Sequence, residues 1–171
     1  MLSWGDIDTI MFDMDGTLLD LHFDSYFWHN LIPQAYSEKH NISVEVAQDK
    51  ILAGYEKVYG LLDWYCLDHW TEELGLDIKE LKKTITHKIA IRPNVLILLK
   101  ELQLLQKRII LITNAHPISL NIKMKHTGLE VFFHQCISSH SLELAKENPG
   151  FWEKLQSLEP YKPDLTVLFD D

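Results

Sequence analysis

The stretch from Ile10 to Leu19, IMFDMDGTLL, constrains the fold more than any other part of the chain. Thr9 to Phe12 is a short apolar, β-prone run, the pattern of a strand buried on both faces, and Gly16 marks a tight turn just beyond it. Between strand and turn stand two carboxylates, Asp13 and Asp15. A carboxylate at the margin of a core is costly unless it is paired, hydrogen-bonded or bound to a cation. A core strand that ends on two of them therefore points to a covered sheet whose strand ends carry chemistry.

Downstream the pattern changes twice. Residues from about 24 to 90 carry helical signals and no strand. Asp24 and Ser25 are cap-like at the head of DSYFWHNLI, and Ser43 opens a helix expected to reach Gly60. WYCLDHWTEELG ends at a C-cap glycine, Gly75, and DIKE from Asp77 resembles a capping box before a helix expected to reach Ala90. After Arg92 and Pro93 helices and strands alternate. Strands are expected at Ile109 to Thr113, around Cys136 to Ser138 and at Leu165 to Asp171, with helices at Asn94 to Leu102, Ser119 to His126 and Phe151 to Gln156. Such alternation implies right-handed crossovers and a parallel sheet covered on both faces. The expected fold class is α/β. A Rossmann-like parallel core from residues 1–20 and 92–171 is interrupted after its first strand by a helical insertion over 21–91.

Composition narrows the function. The net charge is -9 and the 16 Lys and Arg residues are scattered, which argues against a nucleic-acid polymer as partner. No window approaches the roughly 18 uninterrupted apolar residues of a membrane span, and MLSWGDID lacks the basic start of a signal peptide. Cys66 and Cys136 have no metal-ligand spacing and read as buried free thiols, which suits a reducing cytoplasm. A cytoplasmic protein with no membrane partner is expected.

In open α/β sheets ligands bind beyond the carboxyl ends of the strands. Those ends deliver Asp13 and Asp15, then Thr113 and Asn114, then Lys146 after the third strand, and finally Asp170 and Asp171. Taken singly, Thr113 and Asn114 read as a helix cap before Pro117, Lys146 as a loop lysine, and the last two acids as an exposed terminus. Their common level in the sheet gives them weight. Four carboxylates against one ammonium would repel an anion unless a hard cation joined them, and Mg²⁺ is the natural choice. With it the set suits phosphoryl transfer: one carboxylate as nucleophile, a second as acid and base, a hydroxyl and an ammonium on the phosphoryl oxygens. His116 reads either as a substrate contact or as a helix cap, and Arg92 either as an anion contact or as a structural ion pair.

FDMDGTLLD, from Phe12 to Asp20, resembles the first motif of the haloacid dehalogenase superfamily, with Thr113 and Asn114 as the second, Lys146 as the third and Asp170 with Asp171 as the fourth. The resemblance implies Asp13 as nucleophile and metal ligand, and Asp15 as acid and base whose backbone carbonyl reaches the metal. It implies Thr113, Asn114 and Lys146 as phosphate binders, Asp171 as carboxylate metal ligand and Asp170 as its helper. The helical insertion is similar to the superfamily's C1-type cap. The dehalogenases lack the second motif-one aspartate, so keeping Asp15 favours a phosphatase. DLHFDSYFW, WYCLDHW and LITNAHP resemble the bacterial purine nucleotidases that act on GMP and IMP, and stacking on Trp28, Trp64, Tyr65 or Trp70 would suit a purine. A phosphoglycolate or sugar-phosphate phosphatase, or a weakly active remnant, are the alternatives. The resembled family continues beyond the position of Asp171 with another strand and more helix. The expectation is a sheet lacking those last elements, with a final strand exposed as an edge able to pair with a second chain.

Overall fold

The computed structural model describes residues 4–171. Four strands form one parallel sheet: β1 (Thr9–Phe12), β2 (Arg108–Thr113), β3 (Gln135–Ser138) and β4 (Thr166–Phe169), in the order β3-β2-β1-β4. Phe12 lies opposite both Leu111 and Phe169, so the carboxyl ends of the three strands finish nearly level.

Side chains alternate across the sheet even though its central strands are apolar throughout. Ile10, Phe12, Ile109 and Leu111 join one core with Leu99 and Leu120. Met11, Ile110, Ile112 and Ile137 join another with Phe151 and Leu155. The first core is covered by α6 (Val95–Leu104) and α7 (Pro117–Thr127), the second by α8 (Pro149–Leu158). Leu168 of β4 pairs in register with Met11 yet remains 37% exposed, because α8 does not extend over that edge.

Between β1 and β2 the chain is helical. α1 (His22–Tyr26) passes through a π-helical turn, Phe27–Leu31, into α2 (Ile32–His40), followed by α3 (Val44–Val58), α4 (Leu67–Leu74) and α5 (Ile78–Thr84). The Ser43 and Asp77 side chains accept from the backbone N–H of Val46 and Glu80, and Gly75 ends α4 with a φ of 63°. Phe23, Phe27 and Trp70 of these helices belong to the same core as Phe12 and Leu111.

Three details differ from the expectations. α5 ends at Thr84 rather than near Ala90, because the chain tightens into a 3₁₀ turn at Thr86–Lys88 and Ala90 is drawn back to the segment that follows β1. There the Ala90 carbonyl accepts from Asp20 N and the Leu18 carbonyl from Arg92 N, at 3.0 and 2.9 Å, joining the two connecting strands of chain. Asp24 is no cap: α1 begins at His22, and the Asp24 carboxylate turns inward to Lys82 and Lys123. Cys66 and Cys136 are free but half-buried rather than buried. Among the described residues no helix is long and apolar enough to cross a membrane.

Leu111 is wholly buried at the centre of the sheet. Leu111→Ala should lower the urea-unfolding free energy by about 2–5 kcal/mol with an unchanged m value, the cost of a cavity in a core that cannot collapse.

Candidate active site

The carboxyl ends of the strands surround a cavity of about 380 Å³ lined by Asp13, Asp15, Thr113, Asn114, Lys146, Asp170 and Asp171, together with Tyr65 from the helical insertion. Asp13 follows β1 directly, its N–H donating to the Phe169 carbonyl at 2.9 Å. Its buried carboxylate lies 2.6 Å from Lys146 Nζ, which also reaches the two Asp170 oxygens at 2.9 and 3.1 Å. Burial pushes the Asp13 carboxyl up to about 6 against the pull of Lys146, while burial's opposite effect on Lys146 is outweighed by Asp13 and Asp170 together, so the lysine stays charged.

Gly16 makes this packing possible. Its φ of +88° favours glycine, and a Cβ added there would run into the Asp171 carboxylate. The turn is fastened by the Arg92 guanidinium, which donates to the Gly16 carbonyl. Among the described residues Arg92 forms no ion pair; it holds the turn after β1. With the turn so placed, Asp13, Asp170 and Asp171 each bring a carboxylate oxygen within 4.8 Å of the others. Three hard oxygen donors suit Mg²⁺. The Asp15 side chain stands outside that trio, turned to Lys123 Nζ at 2.6 Å.

Asn114 is bound from both sides. Its Oδ1 accepts from Lys146 N at 2.9 Å, and its Nδ2 donates to the Glu147 carboxylate at 2.9 and 3.1 Å. Tyr65 donates to the same carboxylate at 2.9 Å, so Glu147 ties the helical insertion to the loop that carries Lys146. His116 caps α7 through Nδ1, which accepts from Ile118 N, and its Nε2 lies 3.1 Å from Asp68. Cys66, Asp68 and His116 also gather ligand atoms within 4.8 Å. A histidine that accepts at Nδ1 carries its proton on Nε2, which commits that nitrogen to Asp68 rather than to a metal.

Sequence reasoning missed a buried charge network beneath the acids. Asp24 accepts from Lys82 at 2.8 Å and from Lys123 at 2.5 Å, and Lys123 joins it to Asp15. Burial alone would raise Asp24, but the two ammonium groups outweigh it and pull the carboxyl down to about 2. Both lysines left a trace in the pattern: Lys123 follows Leu120 by one helical turn, and Lys82 follows Ile78 by one, so each occupies an otherwise apolar face. This network borders a second cavity of about 240 Å³ that shares Asp15 and Tyr65 with the first and is lined by Trp28, Trp64, Asp24 and Lys82. Trp70 is 1% exposed and donates to the Trp64 carbonyl at 3.0 Å, which makes it core rather than cavity wall.

Carboxylates and a lysine at the ends of parallel strands, in this chain order, define a hydrolase of the haloacid dehalogenase-like class. The chain belongs to that family, whose model matches residues 7–171. It is similar to the GMP/IMP nucleotidase YrfG of Escherichia coli (strain K12), 37% identical over 170 residues that make up 99% of this chain and 77% of that protein. The protein of the same name from Shigella flexneri matches to the same extent. Among solved structures, a HAD phosphatase from Thermococcus onnurineus has a TM-score of 0.81 at 22% identity, over 95% of this chain and 76% of the other. The L-2-haloacid dehalogenase of Xanthobacter autotrophicus has a TM-score of 0.62 at 17% identity, over 95% and 69%. At these identities the two structures speak for the fold alone.

Lys123→Met should cost about 3–5 kcal/mol in urea unfolding at pH 7, because it leaves Asp15 and Asp24 short of a cation in a buried setting. Asp24 sits below its ordinary value of 3.8, so in the parent its stabilisation is complete above that value and drains as pH falls toward about 2. In the variant the two carboxyls escape their penalty by taking up protons. The gap between variant and parent should therefore narrow when the same titration is run near pH 4.

Proposed function

We propose that this protein is a Mg²⁺-dependent phosphomonoester hydrolase acting through an aspartyl-phosphate on Asp13, with GMP and IMP as its substrates. The observation that carries the reading is the trio Asp13, Asp170 and Asp171 facing Lys146 in one cavity, with an aromatic-lined cavity beside it. Mg²⁺ would be held by the carboxylates of Asp13, Asp170 and Asp171 and the backbone carbonyl of Asp15, and when bound it would offset the negative charge that otherwise keeps a phosphate out. The nucleotidase relatives support a purine 5'-monophosphate as substrate.

The chain's own groups divide the work. Asp13 attacks phosphorus, the bond from phosphorus to the 5'-oxygen breaks, and Asp15 gives that oxygen its proton. Asp15 then takes a proton from water as the water oxygen attacks the phosphoenzyme, and the acyl-phosphate bond breaks to return Asp13 as a carboxylate. Burial raises the Asp15 carboxyl against the pull of Lys123, a setting suited to an acid that must hold a proton before it gives one up. Lys146 and Thr113 hold the phosphoryl oxygens, and Asn114 serves by fixing the Lys146 backbone. We take residues 21–91 as a cap that excludes water from the site, hinged where Leu18, Asp20, Ala90 and Arg92 exchange backbone hydrogen bonds, with 1–20 and 92–171 as the core. Two unpaired thiols fit a reducing cytoplasm, where such substrates occur.

Phosphate release should be metal-dependent and faster from GMP and IMP than from AMP, phosphoglycolate or sugar phosphates, and Asp13→Asn should lower turnover by several orders of magnitude. A folded protein that releases no phosphate from any of them with Mg²⁺ present would overturn the reading. Because Asp13 binds a proton near pH 6, protons and Mg²⁺ compete for it. The rise in melting temperature caused by Mg²⁺ should be clear at pH 7.5 and largely lost at pH 5, as read by differential scanning fluorimetry.

A further inference from the structure

The Lys82–Asp24 pair is costly to bury and takes no part in the chemistry proposed above. Lys82 is 2% exposed, sits among Phe23, Phe27 and Trp28 with its ammonium within 4.8 to 5.9 Å of their ring centroids, and yet lines the second cavity. An apolar residue of its size would fill the site without the desolvation penalty. Its charge invites a reason.

Counting protons supplies one. A lysine ammonium has three, and two are taken, by Asp24 Oδ1 at 2.8 Å and Ser119 Oγ at 3.3 Å. Asp24 in turn accepts one proton on each oxygen, from Lys82 and from Lys123, leaving further lone-pair sites. Lys82, Asp24 and Ser119 all border the cavity, and so do the rings of Trp28, Trp64 and Tyr65. The cavity wall therefore presents a donor and an acceptor side by side, about one hydrogen-bond length apart, next to flat apolar surfaces.

That pattern has a definite complement. A 6-oxopurine places an acceptor, O6, beside a donor, N1–H; adenine reverses both, with its amino group at position 6 and a bare N1. We propose that the second cavity is the base subsite, with Lys82 donating to O6 and Asp24 accepting from N1–H, so that this ion pair selects 6-oxopurines over adenine. The inference rests on the nucleotidase reading and adds to it the residues that choose the base. Guanine and hypoxanthine share the edge being read, which accounts for one site serving both. An adenine there would set its amino group against the ammonium and leave the carboxylate facing a lone pair. A site built to hydrogen-bond one edge discriminates strongly against its inverse, because the unmatched polar groups stay buried.

The test compares kcat/KM for IMP, AMP and ribose 5-phosphate in the parent, Lys82→Met and Lys82→Gln. Lys82→Met keeps Asp24 paired with Lys123, and melting temperatures check that both variants fold. Expected is a fall in kcat/KM for IMP on the order of tenfold to a hundredfold in Lys82→Met, carried by KM, as befits a lost charge-assisted hydrogen bond. Ribose 5-phosphate should change little and AMP should hold or improve as the opposed ammonium is removed, while Lys82→Gln, which retains a donor, should recover part of the loss for IMP. If the parent prefers IMP and Lys82→Met lowers all three substrates alike, or leaves the IMP-to-AMP ratio intact, the base-reading role is overturned while the nucleotidase reading stands. If the parent shows no preference for IMP over ribose 5-phosphate, both fall. Thermal shifts with IMP and AMP in Asp13→Asn give a readout free of turnover: IMP alone should stabilise it, and adding Lys82→Met should abolish that difference.

Discussion

Compensation of buried negative charge is the constraint on which this structure turns. Asp13, Asp15 and Asp24 are each drawn into low-dielectric surroundings, and each is met by a lysine at hydrogen-bond distance: Lys146, Lys123, and Lys82 with Lys123. An unpaired carboxylate in such a place would take up a proton or expel its strand end from the core. The lysines come from three separate elements, so satisfying the acids fixes where the loop after β3, α7 and α5 must lie relative to β1. Electrostatics thus does for the strand ends what apolar packing does for the rest of the sheet.

The two halves of the network use this constraint differently. Lys146 answers to Asp13 and Asp170 at the open cavity, where it is the one lysine among the described residues that line the space. Lys123 is 1% exposed and is held between two carboxylates, Asp15 and Asp24, the second of which it shares with Lys82. One cation is thus enclosed beneath Asp15 and the other faces the cavity beside Asp13.

How much of this was legible in the sequence follows from how local each feature is. The strands, the capping residues Ser43 and Asp77, and the C-cap Gly75 are set by neighbours a few residues away, and the pattern gave them close to their observed limits. Asp13, Thr113, Lys146, Asp170 and Asp171 could be collected because a parallel sheet in level register brings its strand ends together whatever the connections do. Asp24 was misread because its partners lie 58 and 99 residues away, and local spacing cannot tell a helix cap from a buried ion pair. The role of Arg92 at the turn was hidden for the same reason, its partner being a backbone carbonyl at Gly16 that no residue type announces. The aromatic residues of the insertion could be named as a group, but sorting Trp70 into the core and Trp28, Trp64 and Tyr65 onto a cavity required the packing itself.

The position of β4 beside β1 carries a consequence for how the molecule forms. β1 has β2 on one side and β4 on the other, and the carboxylates of Asp170 and Asp171 reach Asp13 only because Thr9 pairs with Thr166. That pairing joins residues near the two ends of the described chain, so the acid trio depends on one of the most non-local contacts in the fold. Assembly of the trio therefore reports the docking of β4 against β1, and a change that loosens this edge strand would reach the pocket before it reached the core.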